Sequence, residues 1–347
     1  MKRLVIAICA LFFSCSVFAQ QIVWDVHFNL IFDNHEYSKM DVGLSKTLFG
    51  TNLTPTVGLG WDDNKHKLNV GLGVKNSFGN VDKRCNVDFL AYYEYNTQNH
   101  KFLAGAFPTK DNYDDFKTIF ISDEKRYQDV VLEGLKYIYQ NERGYVKLIY
   151  DWSRWKNDFS SDVFSLLSTS RWSFFELMNI GYQLNLTHYA YDVNTGLVVD
   201  NFKFNPYVEF DFGGLLHLQE GVVGLGPVLT MQRDRSVTSD FIFPTGGEFS
   251  LRVQKWNVGL YNSIYFGDNL MPYSYYIDLY CGSQMYATDS GLYNRAELYY
   301  VPVNGDKIKA KLSLIMHVNG YGQVGWQQNT TIVVSLDHIK WKSLKRK

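Results

Sequence analysis

The side chains that could carry out hydrolysis or hold a metal ion are present in this sequence, but no motif groups them. A triad-type hydrolase needs a nucleophile, a histidine and an orienting group that converge in space; serines are frequent, and there are 8 histidines. The acidic stretch from Asp111 to Asp115 lacks the spaced ligands and terminal Glu of an EF-hand loop. The sequence also has no glycine-rich phosphate loop, His-x-x-x-His pair or paired-cysteine metal site. We therefore predict no catalytic residue, no metal site and no cofactor.

The first nineteen residues have the features of a secretory signal peptide. Lys2 and Arg3 precede an apolar run from residue 4 to residue 13, and Val17-Phe18-Ala19 offers a cleavage site after Ala19. The apolar run is too short for a spanning helix, which needs about 20 residues. Cys15 leaves a lipoprotein as the alternative. We expect residues 1–19 to be removed and the folded chain to begin at residue 20.

The charge balance of the mature chain argues against nucleic-acid binding. Two of the 34 basic residues leave with the signal peptide, so 32 basic residues stand against 35 acidic ones, whereas a nucleic-acid interface needs a strongly basic face. Cys85 and Cys281 are the cysteines that remain. Two cysteines do not make a disulfide scaffold, and the sequence leaves open whether they are bridged or free.

Apolar and polar residues alternate along many segments of the chain. Trp24, Val26, Phe28, Leu30 and Phe32 lie at alternate positions, with Asp25, His27 and Asn29 between them, and the same period of two recurs over residues 49–61, 68–75, 178–187 and 308–318. A helix would scatter such a face, so these segments are predicted to be β-strands. Pro55, Pro206 and Pro227 fall inside the alternating runs and are expected near strand ends or bulges.

Composition indicates which kind of sheet the strands form. The chain is 16% aromatic, yet its mean hydropathy is −0.21 and no mature segment approaches a helical membrane span. A membrane protein is this hydrophilic only when lipid-facing and inward-facing residues alternate. We therefore predict an all-β, antiparallel transmembrane β-barrel over residues 20–341, followed by a basic periplasmic tail at 342–347, and a location in the cell outer membrane.

The connections between the alternating segments indicate the strand number. Short polar turns are predicted at 62–65, 96–100, 140–144, 254–257 and 304–307, and longer connections at 34–46, 79–86, 109–128, 188–202, 233–245 and 267–290. Short turns on one rim and long loops on the other are typical of outer-membrane barrels. With the short turns in the periplasm, the count is about sixteen strands, with fourteen or eighteen as alternatives. Barrels of this size enclose an aqueous channel, and the competing interpretation is a lumen closed by inward-folded loops and ion pairs.

The connection 109–128 resembles the third loop of general porins of sixteen strands. In those porins the loop folds into the barrel, sets the constriction and faces basic residues on the opposite wall. The resemblance implies a constriction formed by acidic loop residues and charged wall residues, with a solvated surface loop as the alternative. The candidates are Asp111, Asp114, Asp115, Asp123, Glu124, Arg252, Arg295, Glu297, Lys309 and Lys311.

Four short segments resemble porin-like outer-membrane proteins of the Bacteroides group. They are Asn34-His35-Glu36-Tyr37, Thr47-Leu48-Phe49-Gly50, the stretch from Phe102 to Pro108, and Tyr293-Asn294-Arg295-Ala296-Glu297. The resemblance supports the location and the architecture, but none of these segments is a catalytic motif.

We therefore expect a porin-like channel for small hydrophilic solutes and not an enzyme. The alternatives are a substrate-specific uptake or surface-binding barrel without an open pore and, more distantly, a barrel hydrolase. His188 and His317 are the histidines expected near the outer rim, where a hydrolase would need one. Outer-membrane lipid, the barrel-assembly machinery and small solutes are the expected partners, and the formation of a homo-oligomer is left open.

Overall fold

The computed structural model describes residues 21–79, 85–110, 112–154, 162–190, 198–273 and 280–337. The predicted signal peptide and basic tail lie outside these residues. The described residues form sixteen β-strands, one α-helix, α1 (Asp123–Gln128), and two short 3₁₀ helices, Gly214–Leu216 and Gln284–Ala287. In chain order the strands are β1 (Gln21–Glu36), β2 (Lys46–Trp61), β3 (His66–Ser77), β4 (Asn86–Asn96), β5 (His100–Pro108), β6 (Val131–Asn141), β7 (Gly144–Arg154), β8 (Asp162–Phe175), β9 (Met178–Ala190), β10 (Val198–Asp211), β11 (Glu220–Asp234), β12 (Thr245–Lys255), β13 (Val258–Gly267), β14 (Leu292–Asn304), β15 (Ile308–Asn319) and β16 (Val324–Asp337).

The sixteen strands close into a single barrel. Each strand pairs with its neighbours in the chain, and β1 pairs antiparallel with β16, so the sheet has no free edge. Closure gives every strand two partners, as a membrane requires of a β-structure. The predicted fold class and strand number are confirmed. Within the described residues, no helix is long and apolar enough to span a membrane.

The alternation in the sequence separates the two faces of the barrel as predicted. On β2, Val57 is 49% exposed whereas its neighbour Thr56 is 7% exposed. The same division runs around the barrel: large exposed apolar side chains face outward and buried polar side chains face inward, where apolar residues such as Ile149 and Leu167 are also buried. An outward band of leucine, valine and aromatic side chains is the surface that contacts lipid.

The two rims of the barrel carry connections of different length, as the sequence predicted. The rim that we name the inner rim carries turns such as 62–65, 142–143 and 256–257, together with both ends of the described chain. The outer rim carries longer connections such as 37–45, 109–130 and 268–291. Two connections depart from the predicted pattern. The inner rim has an eight-residue connection at 212–219, and the outer rim has a four-residue connection at 320–323.

The three prolines lie in the middle of strands, so the prediction that they mark strand ends or bulges is wrong. Pro55 lies inside β2, Pro206 inside β10 and Pro227 inside β11. Pairing between β10 and β11 is interrupted on both strands at the level of these last two prolines. The Asn205 side chain donates a hydrogen bond to the carbonyl of Pro227 at 2.7 Å. One short gap in the ladder, compensated in part by a side chain, therefore accommodates two residues that have no N–H group.

Two outer connections fold into the barrel and pack against each other; we call them the plug. The plug comprises residues 109–130 and 268–291, apart from the undescribed positions 111 and 274–279. Ser122 N–H donates to the carbonyl of Cys281 at 2.7 Å, and Ser283 N–H donates to the carbonyl of Thr118 at 2.8 Å. Buried plug residues such as Phe120 share one hydrophobic core with inward-facing wall residues. The core of this protein thus lies inside the barrel, between the plug and the wall.

Candidate functional site

Helix α1 of the plug carries two of the predicted acidic residues to the barrel wall. The helix begins after Ser122, whose hydroxyl accepts a hydrogen bond from Lys125 N–H at 3.1 Å. Such a cap satisfies one of the free N–H groups of the first turn. From this turn Asp123 approaches Arg295 of β14 at 3.1 Å, and Glu124 contacts Lys46 of β2. The helix is therefore held against the wall by two ion pairs.

The other predicted residues of this connection are dispersed. Asp115 forms an ion pair with Lys147 of β7 at 2.5 Å, and Asp114 is exposed on the plug beside it. Asp111 lies outside the described residues. The structure thus places the connection inside the barrel, and the constriction itself stays a prediction.

The predicted basic wall residues mostly pair with carboxylates of the wall itself. Arg252 contacts Glu209 at 2.8 Å, and Arg171 contacts the same carboxylate at 2.8 Å. Glu297 lies 2.5 Å from Arg295 and 2.6 Å from Lys311. Of the predicted wall cations, Arg295 is the one that forms an ion pair with an acidic residue of the plug within the described part of the chain.

The plug and the charged wall enclose a chamber of about 740 Å³. Asp114, Asp115 and Asp123 line it from the plug, whereas Arg171, Arg252, Lys309 and Lys311 line it from the wall. Glu220 and Asn304, which lie at strand ends on the inner rim, also line it. Lys110, Lys117 and Arg126 also line it from the plug, and Glu209 and Glu297 from the wall. The chamber therefore extends from the underside of the plug toward the inner rim, and both sides carry charges of both signs.

Charge pairing determines the ionisation of the plug residue Asp123. Burial would raise the pKa of its carboxyl group, but the guanidinium groups of Arg295 and Arg126 outweigh this effect and hold the pKa below its ordinary value of 3.8. Asp123 is therefore a carboxylate at neutral pH, and its charge is part of what holds α1 in place.

His317, one of the two histidines expected near the outer rim, is a buried wall residue. Tyr293 O–H donates to Nδ1 at 2.6 Å, and Nε2 donates to the side-chain oxygen of Gln327 at 3.0 Å. Tyr37 of the connection 37–45 also packs against its ring. Both ring nitrogens are engaged, so His317 is suited to hold the wall together rather than to transfer protons.

His188, the other expected histidine, faces outward and belongs to a polar row that crosses neighbouring strands. It stands opposite Asp200 of β10 in the register, and Asp200 stands opposite Arg233 of β11. His188 Nδ1 donates to Asp200 Oδ1 at 2.8 Å, and the ring stacks on Phe164 of β8. Arg233 reaches Asp200 Oδ2 at 2.9 Å, as does Arg235 just beyond the end of β11. We call His188, Asp200, Arg233 and Arg235 the rim cluster.

The rim cluster lies where the apolar belt of the barrel ends. The next outward-facing row toward the membrane centre consists of Leu166, Leu186, Phe202 and Met231, which pair across β8 to β11. Charged side chains on the lipid face cost about 2–4 kcal/mol at the bilayer midplane and about 0–1 near the interface. The change from four apolar residues to a charged row therefore locates a membrane–water interface at His188, on the side of the outer rim.

The rim cluster has the geometry of a general base. A carboxylate only accepts hydrogen bonds, so the contact with Asp200 places the proton of neutral His188 on Nδ1 and leaves Nε2 as the basic nitrogen. Within the described residues, we find no hydrogen bond to Nε2. The sequence pointed to His188, but Asp200 and Arg233 fell in segments predicted to be connections, so their alignment with it was missed.

Comparison with known proteins gives a family and a fold. The family model described as Lipid A 3'-O-deacylase-type matches residues 19–205, more than half of the 347 residues. This match contradicts the expectation that the chain is not an enzyme, because the family is an enzyme family. No curated protein sequence matches the chain.

Among solved structures, the chain is similar to a loop-deletion mutant of OmpT, an outer membrane protein of Vibrio cholerae. The identity is 11% and the TM-score 0.53, with 91% of this chain and 99% of that chain covered. Pseudomonas aeruginosa OccK8 (OprE) has 9% identity and a TM-score of 0.50, with 92% of this chain and 99% of that chain covered. These likenesses concern the fold, and they confirm an outer-membrane barrel. The resemblance to the Bacteroides group in particular stays a prediction.

Proposed function

Since this chain belongs to the lipid A 3'-O-deacylase-type family, we propose that it hydrolyses an acyl ester of an outer-leaflet lipid, with His188 as the general base. The observation that carries the proposal is the contact of His188 Nδ1 with Asp200 Oδ1, 2.8 Å long, on the outward face where the apolar belt ends. Ester groups of membrane lipids lie at this depth, between the acyl chains and the headgroup. The base is therefore level with the bond to be cleaved.

The proposed reaction is the hydrolysis of an ester by water. Nε2 of His188 takes a proton from a water molecule, and the water oxygen attacks the ester carbonyl carbon. The bond between that carbon and the alkoxy oxygen then breaks, and the alkoxy oxygen takes the proton back from His188. A fatty acid leaves and the hydroxyl group stays on the rest of the lipid. Asp200 acts as a positioning residue, because its carboxylate fixes the ring and stabilises the imidazolium form.

Access to lipid favours His188 over the histidines of the lumen. His35 lies 2.9 Å from Asp33, but the two side chains are 8% and 0% exposed and belong to the inner face of β1. His317 is buried beneath Tyr37. A lipid diffusing in the outer leaflet meets the outward face of the barrel, which carries His188.

Fatty-acid release from purified protein tests the proposal. The enzyme is reconstituted with lipid A in mixed micelles, and free fatty acid is measured by mass spectrometry. We expect His188→Asn to reduce the rate by about 10²-fold or more, the usual contribution of a general base, and Asp200→Asn to reduce it less. The matched control His35→Asn removes an imidazole beside a carboxylate inside the lumen and should leave the rate unchanged.

Two results would contradict the proposal. If His188→Asn hydrolyses lipid A at the wild-type rate, His188 is not the base. If the wild-type protein releases no fatty acid from any acylated outer-leaflet lipid, the proposed activity itself is wrong. Heat-modifiable gel migration of each variant shows that the barrel is folded.

A channel is the second candidate function, and the chamber favours it. Charged groups of both signs line a space of about 740 Å³, which suits small hydrophilic solutes. The plug packs into the outer half of the lumen, so we expect low conductance. Planar-bilayer recording with the purified protein tests this function, and the absence of discrete conductance steps would exclude it.

A further inference from the structure

Arg233 and Arg235 converge on a single carboxylate of the rim cluster. Arg233 Nη2 lies 2.9 Å from Asp200 Oδ2, and Arg235 reaches the same oxygen through Nε at 3.0 Å and Nη2 at 2.9 Å. Two guanidinium groups against one carboxylate leave an excess of one positive charge. These three side chains together thus carry a net positive charge on the outward face of β10 and β11.

The contacts with Asp200 fix the position of both guanidinium groups and leave some of their N–H donors available. The Arg233 guanidinium lies over the ring of Phe241 at 4.3 Å, a cation–π contact that restricts its motion. The side chain of Arg235 is 46% exposed. Each guanidinium has five N–H donors, and Asp200, which is shared with His188, accepts only some of them. Hydrogen-bond donors therefore remain for a further anion.

The connection 235–244 beside these arginines also exposes apolar side chains. Val237 is 66% exposed and Phe243 is 63% exposed. Exposed apolar residues next to cations are the composition of a surface that lies in the headgroup region of a membrane. The apolar row with Phe202 and Leu186 lies directly below, toward the membrane centre.

From these observations we infer that Arg233 and Arg235 bind the phosphate of a phosphorylated glycolipid in the outer leaflet. Guanidinium groups bind phosphate in a bidentate manner, with charge-assisted hydrogen bonds. A phosphate held there places the acyl chains of the same lipid along Leu186 and Phe202 and its ester groups beside His188. The inference rests on the proposed function and assigns the residues that hold the phosphate of its substrate.

Lipid retention in nanodiscs tests the inference without depending on hydrolysis. The full-length protein is placed in phosphatidylcholine nanodiscs that contain a small fraction of either bisphosphorylated lipid A or its dephosphorylated form, and bound lipid is measured by native mass spectrometry. We expect preferential retention of the phosphorylated form. Arg233→Gln/Arg235→Gln should weaken that retention by about tenfold or more.

A matched variant controls for the loss of two charges. Arg143→Gln/Lys255→Gln removes two exposed cations from the inner rim and should retain lipid A as the wild type does. Equal retention by the wild type and by Arg233→Gln/Arg235→Gln would overturn the inference, as would equal retention of the two lipid forms by the wild type. If both double variants lost lipid retention equally, the effect would come from net charge alone, and this result would also overturn the inference.

The two proposals fail separately. His188→Asn should bind phosphorylated lipid A normally while releasing fatty acid at least about 10²-fold more slowly, which supports both proposals. Binding without any hydrolysis by the wild type leaves the phosphate site in place and removes the proposed activity. Hydrolysis that persists in Arg233→Gln/Arg235→Gln with unchanged lipid retention removes the phosphate site alone.

Discussion

Asp123 of the plug and Arg295 of the barrel wall lie 3.1 Å apart, and Arg295 also holds Glu297 at 2.5 Å. The Arg295 side chain is 5% exposed, so one buried guanidinium is shared by two carboxylates, which Lys311 and Arg126 also contact. Arg295→Met should destabilise the barrel by up to about 3–5 kcal/mol, the cost of removing one partner from a buried ion pair. A lower temperature for the heat-modifiable gel shift would show this. Lys309→Met, on the chamber wall near the inner rim, is the control and should change little.

Acid should loosen the plug through the same contact. Because the pKa of Asp123 is held below its ordinary value of 3.8, the contribution of its charge is complete above that value and is lost as the pH falls through the lowered pKa. The protection of the amides of residues 112–128 against hydrogen–deuterium exchange, measured relative to their intrinsic exchange rates, should therefore decrease below the ordinary pKa. In Asp123→Asn the exchange should already be faster at neutral pH and should change less on acidification. Identical pH profiles for the two proteins would contradict this role of Asp123.

Gly282 is required where the two halves of the plug meet. A Cβ atom at this position would lie 2.0 Å from the carbonyl oxygen of Ile119, a backbone atom that cannot move aside easily. Gly282→Ala should separate the two connections and increase exchange at the Ser122 and Ser283 amides, which bridge them. Gly214→Ala is the control, because a Cβ atom there meets nothing within 4 Å. Equal exchange in both variants would show that the contact does not hold the plug.

Features that depend on the local sequence could be predicted, whereas features that depend on contacts between distant segments could not. The faces of β1 and β2 follow from the alternation around Trp24 and Val57, since each side chain's direction is set by its own position in the strand. The pairing of His188 with Asp200 depends on the register of β9 against β10, which local patterns fix only weakly. Side chains that meet across strands leave no motif in the sequence, and the prediction of a non-enzymatic protein, which the family match contradicts, rested on the absence of a motif. The inward fold of the connection 109–128 was implied by its resemblance to the third loop of general porins, whereas the packing of 268–291 against it depends on contacts between distant segments and was not predicted.

The location of the outer interface predicts how charges are tolerated along β9. Leu184 and Ala190 lie on the outward face of this strand, Leu184 two rows below His188 and Ala190 one row above it. Leu184→Arg should destabilise the barrel by up to about 2–4 kcal/mol, whereas Ala190→Arg should cost about 0–1 kcal/mol. Urea unfolding from lipid vesicles measures the difference. Equal costs at the two positions would mean that the boundary does not lie at His188.

If the chamber conducts, Asp114 and Asp115 should control its ion selectivity. Both line the chamber from the plug, opposite the cations of the wall. Asp114→Asn/Asp115→Asn removes two negative charges while the basic groups of the wall remain, so the reversal potential in a salt gradient should shift toward anion selectivity. Asp62→Asn/Asp63→Asn, which changes the turn 62–65 on the inner rim away from the residues that line the chamber, is the matched control. Unchanged conductance and selectivity in the plug variant would exclude these carboxylates from any constriction.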